Sequence, residues 1–193
     1  MVVRGYVRRT GKGFTLVELL IVVGILSVLM GLVFPALMRN RRVVLRGACA
    51  MNLRELYTAA RMYADEEKMF PFAGSLTSSA TAADHLQLLV DFEPKNRPKP
   101  SLFICPASAG EKAAEPDPVT KAYTLTEKTL SYAWINEEAN PDSGSDKLLS
   151  ADKSLTNHGG DGINVLSCGT DVQFVKAREG VSWEQLTNNQ LVK

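Results

Sequence analysis

The chain has 193 residues, 45% of them hydrophobic, and a formal net charge of +1. That length allows one membrane segment plus one modest domain with its own core. The near-neutral charge excludes a global basic field of the kind that binds nucleic acid, and three cysteines are too few for a disulfide-built scaffold.

Charge and hydropathy are unevenly spread. Residues 1–13 hold Arg4, Arg8, Arg9 and Lys12 and no acid. Without them the chain carries 18 basic and 21 acidic side chains, a net charge of −3, which fits a basic address tag on an exported acidic domain. The stretch Leu16 to Phe34, LVELLIVVGILSVLMGLVF, contains a single charge, Glu18. A helix of about 20 apolar residues spans the roughly 30 Å hydrocarbon core of a bilayer. A cleaved secretory signal would have a shorter apolar region ending in small residues, and none of the Ala-x-Ala type follows this run. A plain signal anchor explains the length but not Glu18, since a carboxylate in the apolar phase is costly unless paired.

The segment Gly11-Lys12-Gly13-Phe14-Thr15-Leu16-Val17-Glu18-Leu19-Leu20 resembles the processing site of type IV prepilins and type II secretion pseudopilins. The resemblance implies cleavage after Gly13 by prepilin peptidase and N-methylation of the new terminus, Phe14. It also implies an assembly role for Glu18, whose carboxylate can neutralise the new amine on a neighbouring subunit. Two charges that are costly alone become tolerable together in a low dielectric. Further implications are a cytoplasmic leader, an exported carboxyl-terminal domain and a single pass through the bacterial inner membrane. The implied partners are other subunits of the same filament, an assembly platform with its ATPase, and membrane lipid. Charge alone does not orient the span, because Arg39, Arg41, Arg42 and Arg46 balance the basic leader.

Beyond the apolar run the helical pattern continues. Cys49, Leu53, Leu56, Ala60 and Tyr63 form one stripe, widened by Tyr57 and Ala64, with Arg54, Arg61, Asp65 and Glu66 opposite. One helix is expected from about 15 to 67, kinked or locally melted near Pro35 and ended before Pro71. Residues 74–84 read as a surface loop and 84–92 as a short helix, before Pro94, Pro98 and Pro100 interrupt the chain. Strands are expected at 102–104, 122–126, 130–135, 148–150, 163–167 and 171–176, the last two forming a hairpin around Cys168-Gly169-Thr170. Ser182 and Gln185 can cap a last short helix holding Trp183 and Leu186. The expected fold is α+β and pilin-like, a long N-terminal helix packed on a small antiparallel sheet. Its parts are a leader (1–13), a membrane or filament-core helix (14–38) and a globular domain (39–193) that includes the amphipathic half of the helix.

Four further segments, Cys49-Ala50-Met51-Asn52-Leu53-Arg54-Glu55-Leu56, Phe103-Ile104-Cys105-Pro106, Ser131-Tyr132 and Asn157-His158-Gly159-Gly160, resemble a prepilin subgroup of planctomycete and verrucomicrobial bacteria. That subgroup carries His, nine residues, then Asp-Gly; here His158 is followed at that spacing by Cys168-Gly169. Of Cys49, Cys105 and Cys168, one pair can bridge in an exported domain, and the sequence does not choose it. Their wide spacing favours a pseudopilin over an adhesion or motility pilin, in which a disulfide near the carboxyl end is common.

No catalytic constellation is present: the two histidines, His85 and His158, form no His-Glu-x-x-His pair, and no Gly-x-Ser-x-Gly elbow occurs. The sequence therefore reads as a structural subunit and not an enzyme. His158 reads either as a ligand or partner contact or as a loop residue bonded to nearby backbone. Major pseudopilins bind calcium through a carboxyl-terminal loop, which makes Asp142, Asp146, Asp152 and Asp161 calcium candidates, although no defined calcium loop is matched and Ser/Asp/Gly turns are usually just solvated. The competing class is a signal-anchored extracytoplasmic binding protein, which would keep its leader and need a pocket with converging polar groups.

Overall fold

Helix α1, Leu16–Glu67, is continuous over 52 residues in the computed structural model. The structure describes residues 14–74, 80–92, 97–135, 137–177, 182–187 and 191–192, with backbone alone at 35, 36, 38, 39, 186, 191 and 192. The start of α1 is a capping box: the Thr15 N–H donates to Glu18 Oε2 at 2.9 Å, and the Glu18 N–H donates to Thr15 Oγ1 at 3.2 Å. Its end is a left-handed residue, Lys68 (φ 67°), with Pro71 shortly after. Where a kink or melting was expected near Pro35, the helical assignment runs through without a break. The chain divides into two compact units, Met1–Arg41 and Arg42–Lys193.

In the first unit, Leu16–Phe34 has a mean hydropathy of 2.8 and none of it is buried. Its one hydroxyl, Ser27, donates back to the Val23 carbonyl at 2.8 Å, so it is satisfied without water.

In the second unit, Cys49, Leu53, Leu56, Ala60 and Ala64 are buried along one face of α1, with Arg54, Arg61, Asp65 and Glu66 exposed opposite. Tyr63, expected in the stripe, is half-buried against Phe92, ring to ring at 5.0 Å. Helix α2, Ala82–Phe92, starts two residues earlier than expected because Thr81 and Asp84 form a second capping box, with the Thr81 N–H on Asp84 Oδ2 at 2.8 Å. These hydrogen bonds hold the Asp84 carboxyl below its ordinary pKa.

The sheet is antiparallel, built from β1 (Tyr132–Ile135), β2 (Leu148–Asp152), β3 (Gly162–Ser167), β4 (Val172–Lys176) and a two-residue β5 (Leu191–Val192), in the order β4-β3-β2-β1-β5. The predicted hairpin is β3–β4, in register from Gly162↔Lys176 to Leu166↔Val172. Its left-handed position falls on Thr170 (φ 74°), one residue after the glycine. Gly169 is needed for a different reason: a Cβ there would lie 2.8 Å from Ser145 Cβ. Helix α3, Trp183–Leu186, carries the predicted Ser182–Gln185 capping box.

Two expected strands are not strands. Residues 100–103 form a 3-10 helix, with Pro100 at its start supplying the fixed φ. Residues 121–126 have no strand partner, although Tyr123 and Leu125 are buried and alternate with exposed neighbours as a strand would. Their backbone partner is instead a side chain: Gln87 Oε1 accepts from the Leu125 N–H at 2.8 Å, and Gln87 Nε2 donates to the Tyr123 carbonyl at 3.3 Å. One contiguous core joins α1, α2, the 3-10 segment, β1–β3 and Trp183. The fold is α+β, as expected.

Candidate functional site

Two places in the chain concentrate chemistry. The first is the start of α1. Phe14 is exposed, and the Glu18 carboxylate accepts from both the Thr15 N–H and the Thr15 hydroxyl, at 2.9 and 2.7 Å. Glu18 therefore has a job in the single chain that the sequence pattern Thr-x-x-Glu already encoded: it closes the helix terminus against a dipole that favours negative charge. Gly13 and the rest of the leader lie outside the described residues.

The second place is a buried cluster in the globular unit. Cys49 on α1 and Cys105, just beyond the 3-10 helix at 100–103, form a disulfide with Cα atoms 4.9 Å apart. Asn52, one turn on from Cys49, donates to the Ile104 carbonyl at 2.9 Å and fixes the approach of that segment. Cys168 is a buried free thiol; Tyr57, about two helical turns beyond Cys49, donates its hydroxyl to the Cys168 carbonyl at 3.3 Å. That separation along α1 is why Cys168 has no part in the bridge. Burial pushes the Cys168 thiol up to about 11.

Beside the disulfide lie Asp152, the last residue of β2, and His158, at the end of a 3-10 helix over Leu155–His158. His158 Nε2 is 2.8 Å from Asp152 Oδ2, and both side chains are all but inaccessible to solvent. The Asn164 N–H donates to the same oxygen at 2.6 Å, and Trp183 Nε1 donates to the Asp152 carbonyl at 2.7 Å. His158 is thus neither an exposed contact nor a loop residue bonded to backbone; its partner is a buried carboxylate. One ligand-type atom from each of Cys49, Cys105, Asp152 and His158 lies within 4.8 Å of the others. Among the described residues Asp152 Oδ1 and His158 Nδ1 have no hydrogen-bond partner. All four segments that resemble the prepilin subgroup meet here: the Cys49 turn, the Cys105 turn, the His158 turn, and Ser131-Tyr132, where Tyr132 pairs with Asp152 across β1 and β2 and the Ser131 N–H donates to the Phe103 carbonyl at 2.9 Å.

The cluster is tied to α1 a second time. The Arg46 guanidinium stacks on the Phe174 ring, 3.7 Å from its centroid, and pairs with Asp161 at 3.2 Å, while Phe174 meets His158 edge-on at 6.0 Å. Arg42 lies over Gly159, whose φ of 70° only glycine adopts without strain. Of the calcium candidates, Asp161 is committed to Arg46, and Asp142 and Asp146 sit on an exposed turn. Among the described residues these three do not gather into a metal-holding group.

Leu16–Phe34 is long and apolar enough to cross a membrane and is unburied, which is consistent with a membrane-anchored protein. Residues 8–34 match the family model of the prokaryotic N-terminal methylation motif. This motif supports a type IV prepilin- or pseudopilin-like protein, and it implies processing by prepilin peptidase and pilin assembly. No curated protein and no solved structure matches the chain.

Proposed function

We propose that this chain is a structural, non-enzymatic subunit of a type II secretion pseudopilus or a type IV pilus-like filament. Prepilin peptidase cuts it after Gly13, and Phe14 is N-methylated. The leader is cytoplasmic, α1 crosses the bacterial inner membrane, and the globular unit is exported. An assembly platform with its ATPase then draws the helix out of the bilayer into the filament. The observation that carries this reading is the match of residues 8–34 to the methylation motif.

The physics of α1 supports it. Among the described residues Leu16–Phe34 is unburied; lipid covers it before assembly and neighbouring helices afterwards. In the filament, Glu18 turns from capping its own helix to neutralising the methylated amine of a neighbour.

The test separates those two duties. Glu18→Gln keeps a side-chain acceptor for the Thr15 N–H but removes the charge, whereas Glu18→Ala removes both. Both variants should be processed and inserted, and both should fail to enter filaments efficiently. Normal incorporation of Glu18→Gln would reject the charge-pairing role, leaving helix capping as the residue's task.

A further inference from the structure

We propose that Cys49, Cys105, Asp152 and His158 form a zinc site whenever the Cys49–Cys105 disulfide is reduced, so that the same four residues hold either a covalent bridge or a metal.

Four separate segments deliver these residues: α1, the turn after the first 3-10 helix, the end of β2 and the end of the 3-10 helix at Leu155–His158. All four are buried, and their ligand-type atoms lie within 4.8 Å of one another. Tetrahedral zinc at ordinary bond lengths sets its ligand atoms about 3.3–3.8 Å apart. The set therefore needs contraction of its longer distances and separation of the two sulfurs, movements of an ångström or two. Two thiolates, one imidazole and one carboxylate suit zinc; the soft sulfurs disfavour calcium and magnesium.

The polar groups around the cluster are incompletely used without a metal. Asp152 Oδ1 and His158 Nδ1 are buried with no hydrogen-bond partner among the described residues, an arrangement that costs free energy in a disulfide-only design. A metal engages the carboxylate and the ring and removes part of that cost. The outer partners are already in place: the Asn164 N–H on Asp152 Oδ2, Trp183 Nε1 on the Asp152 carbonyl, and Asn52 on the Ile104 carbonyl next to Cys105. Such groups fix the orientation of metal ligands.

The interconversion balances. A dithiol reductant passes two electrons and two protons to the sulfurs, breaking the S–S bond, and becomes a cyclic disulfide. Zinc then displaces the two thiol protons, which leave to solvent, and both thiolates bind the metal. Either state ties α1 to the turn at Cys105, so the fold keeps a crosslink across a change of redox conditions.

The experiment uses the full chain in detergent micelles, reduced with a dithiol, desalted anaerobically and titrated with Co2+ as a zinc substitute. Binding of one Co2+ per chain is expected, with a thiolate-to-cobalt charge-transfer band and tetrahedral d–d absorption. Competing Zn2+ should abolish the absorption, and the oxidised chain should show none. Cys168→Ser should leave the spectrum unchanged, and Asp152→Asn should weaken binding at least about tenfold. Absence of the charge-transfer band in the reduced chain overturns the proposal. So does a band that persists in the oxidised chain or vanishes in Cys168→Ser. The comparison of reduced and oxidised wild-type chain decides the matter even where a variant fails to fold.

Discussion

Opening the Cys49–Cys105 bridge without supplying a metal should cost the globular unit about 4 kcal/mol. The two residues are 56 apart in sequence. Closing a loop of that length removes about 14 cal/mol/K of entropy from the unfolded chain, or about 4 kcal/mol at 25 °C. Reduction leaves both sulfurs in the core, so no cavity contributes. The assay is urea unfolding of the Cys168→Ser chain in detergent, oxidised against dithiol-reduced, with a chelator throughout. Trp134 and Trp183 are both buried and report the transition by fluorescence. With an m-value of about 2 kcal/mol/M, the midpoint should fall by about 2 M. A shift below about 0.5 M would refute the reasoning, because the bridge would then constrain an unfolded chain already held together in that region.

Two further outcomes follow from local geometry. Thr170→Gly should stabilise the globular unit by about 0.5–1 kcal/mol, since a β-branched residue holds the left-handed turn position and glycine relieves more strain than it adds chain entropy; a loss of stability on thermal unfolding would count against it. The Cys168 thiol should resist alkylation in the native state from pH 7 to 9, where nearly all of it stays protonated, and should react at the rate of an ordinary cysteine once urea unfolds the chain. The sign of its linkage is fixed by the same burial. Its folded pKa lies above the unfolded value, so its contribution to stability is complete below the unfolded pKa and is lost as pH rises towards about 11. Rapid native alkylation at pH 8 would contradict this.

Much of the architecture was legible in the residues because it rests on local rules. The stripe from Cys49 to Ala64, the Ser182–Gln185 box and the β3–β4 hairpin each follow from spacing, capping and turn chemistry within a few residues. The Thr15–Glu18 and Thr81–Asp84 boxes follow the same local rule. Residues 121–126 show where period-two alternation stops being evidence: the segment is buried on alternate residues, but a glutamine amide from α2 takes the place of a neighbouring strand. At 102–104, where a strand is expected, Leu102 and Phe103 are buried but Pro100 opens a 3-10 helix instead.

The buried cluster was harder to see. Its members lie far apart in sequence, and only the packing of α1 against the Cys105 turn and the end of β2 brings them together. In the sequence Asp152 is only one of four aspartates grouped as calcium candidates, with nothing to link it to His158 or the cysteines. Its importance arises from complete burial beside His158, a property of three-dimensional packing with no local sequence rule behind it.

The most direct test of the central claim is the intact mass and amino-terminal sequence of the protein isolated from its host's membrane. The account predicts a chain that starts at Phe14 and carries one added methyl group. A chain that starts at Met1 would contradict it, leaving α1 as a plain anchor and Glu18 as nothing more than the cap of its first turn.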